Sequence, residues 1–317
     1  MPVTATAVAH PNIALVKYWG KRDKALNLPA VPSLSLTLDG YRTRTEVTWG
    51  VDRDEVIFGG EAVRDDKIGR LLDLIDPARP GVRVVTDNDF PTGAGLASSA
   101  SGFAALVVAA AAAAGRDLPP EELSVQARRG SGSACRSIFG GFVAWRMGER
   151  PDGADSHGVP VAPEDHWDVV LVVALASEAR KAVGSTEGMA RSRDTSPLWP
   201  SWLAGGERDV AEAEAAVAAR DLPRLGAVME RSTFAMHGTM TSATPPLLYW
   251  QPATVALLHE VFALRARGVG AWATMDAGPQ VKVLCARADA EAVAEALRPH
   301  AVRVVVHAPG PGARIVA

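Results

Sequence analysis

Cysteine is scarce in this 317-residue sequence: Cys135 and Cys285 are the only two, and they stand in no metal-ligand spacing. They read as free thiols of a reducing cytoplasm rather than as a metal site or a disulfide framework. An excess of either charge is also missing, since 33 Lys and Arg against 36 Asp and Glu leave a net charge of −3. No global basic field therefore recruits nucleic acid or a membrane surface, and any anionic ligand must be held by local cations. The longest apolar run, around Phe103–Ala114, is mostly alanine and too short to span a bilayer. The opening "MPVTATAVAHPNIAL" has no basic segment ahead of an apolar one, so no secretory leader is expected. There is no internal repeat and no long disordered linker. These absences leave a cytoplasmic globular protein with neither a nucleic-acid nor a membrane partner.

What is present supports a sizeable core: 48% of residues are hydrophobic and 22% charged. The length suits two modest domains or one large one. "TATAVA", "SLSLTL", "TRTEVTW", "VRVVT" and "GFVAW" are rich in β-branched or aromatic residues between turn formers, which predicts strands. "DVVLVVAL" predicts a fully buried strand. Ser98–Ala114 predicts a buried helix, because alanine favours helix and lets it pack close to a sheet. Gly148–His166, rich in Pro and Gly, predicts an exposed excursion between strands or a domain boundary. Beyond "TEGMARSRDTSPLWPSWLAGG" the texture turns to helices at Arg208–Arg220, Leu222–His237 and Pro252–Arg267. Strands "GAWATM" and "QVKVLC", helix Ala288–Leu297 and strand "VRVVVHA" follow. This order predicts an α+β second domain with helices on one side of a small antiparallel sheet. The division is placed near residue 180, giving domains 1–180 and 181–317.

Three stretches carry chemistry. "FPTGAGLASSASG" joins Pro91, Gly93 and Gly95 to the hydroxyls of Ser98, Ser99 and Ser101 at a helix start. Free N–H groups and the positive dipole end there can seat a phosphate without a lysine, although a plain N-capped helix has the same look. "NIALVKYWGKRD" places Lys17, Lys21 and Arg22 within six residues, around Tyr18 and Trp19. Such a cluster can neutralise a multiply charged anion, or simply form a solvated basic face. "RRGSGSACRS" offers Ser131, Ser133 and Ser137, with Arg136 as a planar fork suited to a carboxylate or to a surface ion pair.

The pattern of Pro91, Gly95, Leu96, Ser98, Ser99 and Ala100 resembles the phosphate loop of the GHMP kinase superfamily. With "AHPNIALVKYWGKRD", "RRGSGSACRSIFGGF", "EGMARSRDTSP" and "ATMDAGPQVKVL", the chain resembles the mevalonate diphosphate decarboxylase family of that superfamily over both domains. The resemblance implies a two-domain α+β fold: a ribosomal-protein-like, left-handed βαβ N-terminal domain and a ferredoxin-like C-terminal domain. It implies an active site in the cleft between them and a homodimer. The implied reaction uses ATP and Mg²⁺ to phosphorylate the 3-hydroxyl of mevalonate 5-diphosphate. Loss of phosphate and CO₂ then yields isopentenyl diphosphate.

Carried over position by position, the resemblance assigns Asp276, Arg136 and Lys17 to catalysis. Asp276 serves as base or cation stabiliser, Arg136 holds the substrate carboxylate and Lys17 lies near the transferring phosphoryl group. Asn12, Tyr18, Lys21, Ser131, Ser133, Ser185 and Thr186 are assigned to substrate. Pro91, Gly93, Gly95, Leu96, Ala97, Ser98, Ser99 and Ser101 are assigned to ATP, with Ser99 a candidate Mg²⁺ contact. Some relatives carry arginine where this chain has Thr186, which leaves more of the diphosphate to Lys21 and Arg22. A decarboxylase of mevalonate 5-phosphate or a mevalonate bisphosphate, a kinase that stops at the phosphate ester, and an inactive sensor are the rival readings. His237, among apolar neighbours, is expected to be packed rather than catalytic. Trp199 and Trp202 are expected at the domain junction.

Overall fold

The computed structural model describes residues 2–90, 98–179 and 181–316. The expected α+β architecture is present as three larger sheets and their covering helices. In the six-stranded first sheet, Val3–Ala9 lies between Arg314–Val316 and Thr43–Val51, followed by Gly81–Asn88, Glu55–Phe58 and Glu61–Ala62. Its neighbours are antiparallel except Glu55–Phe58 and Gly81–Asn88, which run parallel. Parallel neighbours need a crossover, and it is supplied by helix Asp66–Ile75. The sequence reading missed this helix, yet Asp65 caps its N-terminus and Leu71, Leu72 and Ile75 anchor it.

Helix Ser98–Ala113 matches its sequence expectation. Ala104, Ala105, Ala109 and Ala110 are fully buried beside Val47 and Val84 of the first sheet. Their methyl groups allow the close approach that lets Trp49 Nε1 donate to the Ala110 carbonyl at 3.0 Å. A second sheet places Ser33–Thr37 between Asn12–Val16 and Phe142–Trp145, with Gly158–Ala162 at its edge. The region 148–166 is therefore not an exposed excursion throughout. The Asp155 carboxylate accepts the backbone N–H groups of Glu149 and Arg150, closing a turn from which the chain returns as a strand.

The third sheet has the order Ala271–Thr274, Val281–Ala286, Val169–Leu175 and Arg303–His307, all antiparallel. Helices cover it on both faces, not on one. Val170, Val172 and Ala174 pack with Leu257, Val261 and Val293, while Val169 and Leu171 pack with Val210, Leu225 and Val228. Burial on both faces explains the unbroken apolar run of that strand. Val169–Leu175 joins the third sheet although it precedes residue 180, and Arg314–Val316 returns to the first although it follows it.

Helix Trp199–Ala219 begins well before the expected Arg208. Pro200 occupies its first turn, where the missing N–H costs nothing, so the proline opens the helix rather than breaking it. The helices Leu222–Thr241 and Pro252–Ala266 follow as expected, the former four residues beyond His237. Ile13, Leu15, Leu34 and Leu36 from the first half share one cluster with Val210, Ala213, Leu225 and Leu284 from the second. Trp199 and Trp202 do pack at the junction, with Trp19 and Val31 on one side and Met189 and Met236 on the other. Trp202 Nε1 also donates to the Trp19 carbonyl at 2.9 Å.

Two helical glycines give this packing a test. A Cβ on Gly226 would lie 2.1 Å from Cγ of Trp272, whereas a Cβ on Gly69 would meet nothing within 4 Å. Gly69→Ala should raise stability by about 0.5–1 kcal/mol. Gly226→Ala should instead lower it by about 1–3 kcal/mol, because the indole ring must move. Chemical unfolding of both variants checks the opposite signs.

Candidate active site

A cavity of about 720 Å³ opens where the halves meet. The first half lines it with Asn12, Tyr18, Lys21, Ser98, Ser131 and Arg136, and the second with Lys181, Ser185, Thr186 and Asp276. Asp276 is the one carboxylate on the described wall. It follows strand Ala271–Thr274 in a tight turn, where the Gly278 N–H donates to the Asp276 carbonyl at 2.7 Å.

Two ammonium groups grip the Asp276 carboxylate. Lys17 Nζ donates to Oδ1 at 2.7 Å and Lys282 Nζ to Oδ2 at 3.0 Å, both lysines being only 1% exposed. Lys17 comes from the end of strand Asn12–Val16 in the first half, and its backbone N–H donates to Ser232 Oγ in the second at 2.9 Å. Burial alone would raise the Asp276 pKa, but the two adjacent cations outweigh it and hold the carboxyl well below the usual range. Burial lowers the Lys17 pKa, and the Asp276 charge opposes that shift. The carboxylate keeps 29% exposure, which turns it toward the cavity.

Arg136, on the short helix Ala134–Ser137, is buried at 2% exposure. Its Nε and Nη2 donate to Asn12 Oδ1 at 3.2 and 3.1 Å, and Nη1 donates to Ser33 Oγ at 2.5 Å. Asn12 Nδ2 in turn donates to the Ser133 carbonyl and Ser137 Oγ at 3.0 and 2.8 Å. Trp145 lies under the guanidinium, 5.8 Å from ring centroid to Cζ. Three of five guanidinium N–H groups are thus used, leaving one on each terminal nitrogen. Gly132 permits this close build: a Cβ there would lie 2.8 Å from the Tyr18 hydroxyl and 2.9 Å from Trp145. That Tyr18 hydroxyl is buried without a hydrogen-bond partner among the described residues.

Lys21 Nζ donates to Asn27 Oδ1 at 2.5 Å, and the Asn27 amide donates to the carbonyls of Arg128 and Arg129 at 3.0 and 2.9 Å. Lys24, Lys67, Arg70 and Arg129 stand on the same wall, so anions face a strongly positive surface. Lys181 Nζ donates to Ser185 Oγ at 2.7 Å and the Ala277 carbonyl at 3.1 Å. Ser99 Oγ lies 3.2 Å from Ser131 Oγ, joining the helix start to the second serine loop.

Not every expected residue reaches the cavity. Arg22 turns away, donating from Nη2 to the Met147 carbonyl at 2.8 Å, and Lys24 stands on the wall instead. Ser101 is fully buried and bonded to Thr43 Oγ1 at 2.7 Å and to the Ser98 carbonyl at 3.3 Å, facing the first sheet. Lys17 touches the cavity only through Asp276. Pro91, Gly93, Gly95, Leu96 and Ala97 lie outside the described residues. Lys282, Lys181 and Asn27 were not singled out from sequence. The signal for Lys282 was there: a lysine inside the otherwise apolar "VKVLCA" strand requires a buried partner.

His237 is packed, 2% exposed, with its ring 5.3 Å from that of Trp250. Burial, aided by the Lys17 charge, lowers its pKa from 6.5 to about 4. The folded value lies below the unfolded one, so between these values the unfolded chain binds the extra proton and stability falls as pH falls. From pH 7 to pH 5 the native protein should lose about 2 kcal/mol more stability than His237→Gln. Denaturant titrations at the two pH values measure the difference.

Comparisons with known proteins agree over nearly the whole chain. Residues 9–158 match the diphosphomevalonate decarboxylase-like N-terminal domain, and residues 169–305 match the mevalonate 5-diphosphate decarboxylase C-terminal domain. The chain is 39% identical to diphosphomevalonate decarboxylase mvd1 of Aspergillus fumigatus over 323 residues, 93% of this chain and 80% of that protein. Mevalonate diphosphate decarboxylase from Staphylococcus aureus superposes with a TM-score of 0.94 at 35% identity, covering 100% of this chain and 99% of that one. A further neighbour, MDDEF solved in complex with MVAPP, AMPPCP and magnesium, has a TM-score of 0.92 at 39% identity, with 100% and 99% coverage.

Proposed function

The chain belongs to the diphosphomevalonate decarboxylase family and carries out ATP-dependent decarboxylation of mevalonate 5-diphosphate; we propose that Asp276, Arg136 and Lys17 form its reacting centre. The observation that carries this assignment is the single carboxylate of the described wall, held ionised by Lys17 and Lys282 and facing a surface of cations and hydroxyls.

A tertiary hydroxyl is a poor leaving group. Once its oxygen bonds to phosphorus, the carbon–oxygen bond can break with phosphate as the leaving group. Positive charge then grows at the tertiary carbon. As CO₂ leaves, the electrons of the breaking carbon–carbon bond fill the new double bond. Bound ATP supplies the phosphoryl group: the bond from its γ-phosphorus to ADP breaks as the new one forms, and the hydroxyl proton passes to an oxygen of the transferred phosphoryl group.

Asp276 accepts a hydrogen bond from the hydroxyl and later faces the developing cation. A carboxylate gripped by two ammonium groups is a weak base, which favours the second role. Phosphoryl transfer, with its loose transition state, rests mainly on positioning and electrostatics. Arg136 offers its two remaining N–H groups to the substrate carboxylate, fixing it opposite the leaving phosphate. Asn12 and Ser33 hold that fork rather than leave it free to rotate. Tyr18, Lys21, Ser131, Ser133 and Ser185 surround the diphosphate, with Lys24 and Arg129 supplying the charge that Thr186 and Arg22 do not.

Ser98 and Ser99, at the start of helix Ser98–Ala113, suit nucleotide phosphates by hydroxyl and dipole, with Lys67 on the same wall. Among the described residues no group of three or more His, Cys, Asp or Glu gathers to hold a metal. Mg²⁺ would therefore take its ligands chiefly from phosphate oxygens, with the Ser99 hydroxyl within the same region. The enzyme is proposed to be a cytoplasmic homodimer.

Mevalonate 5-diphosphate should exceed mevalonate 5-phosphate in kcat/KM by at least about 100-fold, since a lost multiply bonded phosphate costs several kcal/mol. A preference for the monophosphate would select the rival substrate. Asp276→Ala should lower kcat by about 10³-fold with ATP affinity nearly unchanged, because the lost interaction belongs to the transition state. Turnover near that of the native enzyme would remove Asp276 from the centre.

A further inference from the structure

We propose that Lys282 is a positioning residue of the reaction, fixing the plane of the Asp276 carboxylate and keeping it anionic during turnover. The proposal rests on the assignment of Asp276 to the reacting centre.

Strand geometry places Lys282 for this role. In Val281–Ala286, Val281, Val283 and Cys285 point into the cluster beneath Leu257 and Val261. Lys282 and Leu284 alternate onto the opposite face, and Leu284 packs against the first half of the chain. Lys282 pairs in register with Thr274, two residues before Asp276. Its ammonium is thus carried to Asp276 Oδ2 by the same sheet that presents the aspartate. Lys17 reaches Oδ1 from the other half of the molecule.

With one such bond the carboxylate can still rock about Cβ–Cγ, because the ammonium on its flexible stem follows the moving oxygen. The second bond fixes the plane, and with it the lone pairs that remain for a ligand. An ammonium buried at 1% exposure in an apolar strand is costly unless paired, so this lysine is not a neutral choice of core residue. The charge count points the same way. Lys17 and Asp276 alone cancel, whereas Lys282 leaves the triplet with one surplus positive charge beside anionic substrates. Among the described residues, Lys181, Arg136 and His237 also feel Asp276 from the elements around it. None of these three has a described hydrogen bond to the Asp276 carboxylate.

The test compares Lys282→Met, Lys282→Gln and Lys282→Arg with the native enzyme. Its readouts are kcat and KM for both substrates at pH 7, and thermal midpoint. For Met and Gln, kcat should fall at least about tenfold, with both KM values within about twofold. Lys282→Arg, which retains the charge, should recover kcat to within about threefold of the native enzyme. A kcat within about twofold of native for Met and Gln, or a loss confined to KM or to the thermal midpoint, overturns the proposal. If Lys282→Met does not fold, Lys282→Gln decides. Asp276→Asn is run in parallel: near-native turnover there overturns the Asp276 assignment itself. An inactive Asp276→Asn with a near-native Lys282→Gln kcat overturns the role of Lys282 alone.

Discussion

The contact on which this molecule turns is the ion triplet of Lys17, Asp276 and Lys282. One lysine comes from the first half and one from the second, and the carboxylate lies between them. Two ammonium groups at 1% exposure pair with the same carboxylate, and removing it would leave two buried like charges side by side. The halves must therefore meet in this register. The Lys17 N–H bond to Ser232 and the shared cluster around Ile13, Leu34, Val210 and Leu284 hold them there.

The surrounding site is an exercise in preorganisation. Arg136 is locked by Asn12 and Ser33, Asn12 is locked by Ser133 and Ser137, and Lys21 is tied through Asn27 to the backbone before the serine loop. Each tie uses part of a polar group's bonding capacity and aims what remains. Charge develops and disappears within one turnover, so donors fixed beforehand need no reorganisation at the reacting moment. Close packing makes the ties possible, as where Gly132 admits Tyr18 and Trp145.

Much of this was legible from residues. The β-branched segments became strands, and the alanine run became the helix against the first sheet. Motif resemblance marked Asp276, Arg136, Asn12 and Tyr18, and all four stand on one cavity wall. The errors share a physical origin. The helix expected from Arg208 starts at Trp199, with Pro200 in its first turn. The helix Asp66–Ile75, charged on its exposed face, carries Lys67 and Arg70 to the cavity, and motif reading gave it no weight. Arg22 and Lys24 differ by two positions, but the short strand Lys21–Asp23 and the turn after it decide which one faces inward. Lys282 shows the limit most clearly: the alternation predicts a buried lysine, and only the tertiary fold names its partner.

The central claim is that Asp276, held between two lysines, faces the reacting carbon while Arg136 holds the carboxylate that leaves as CO₂. A crystal structure with mevalonate 5-diphosphate and a non-hydrolysable ATP analogue tests it most directly. The account predicts the 3-hydroxyl within about 3 Å of an Asp276 oxygen and the substrate carboxylate on the free N–H pair of Arg136. A substrate bound with its diphosphate on Arg136, or with the hydroxyl out of reach of Asp276, would contradict it.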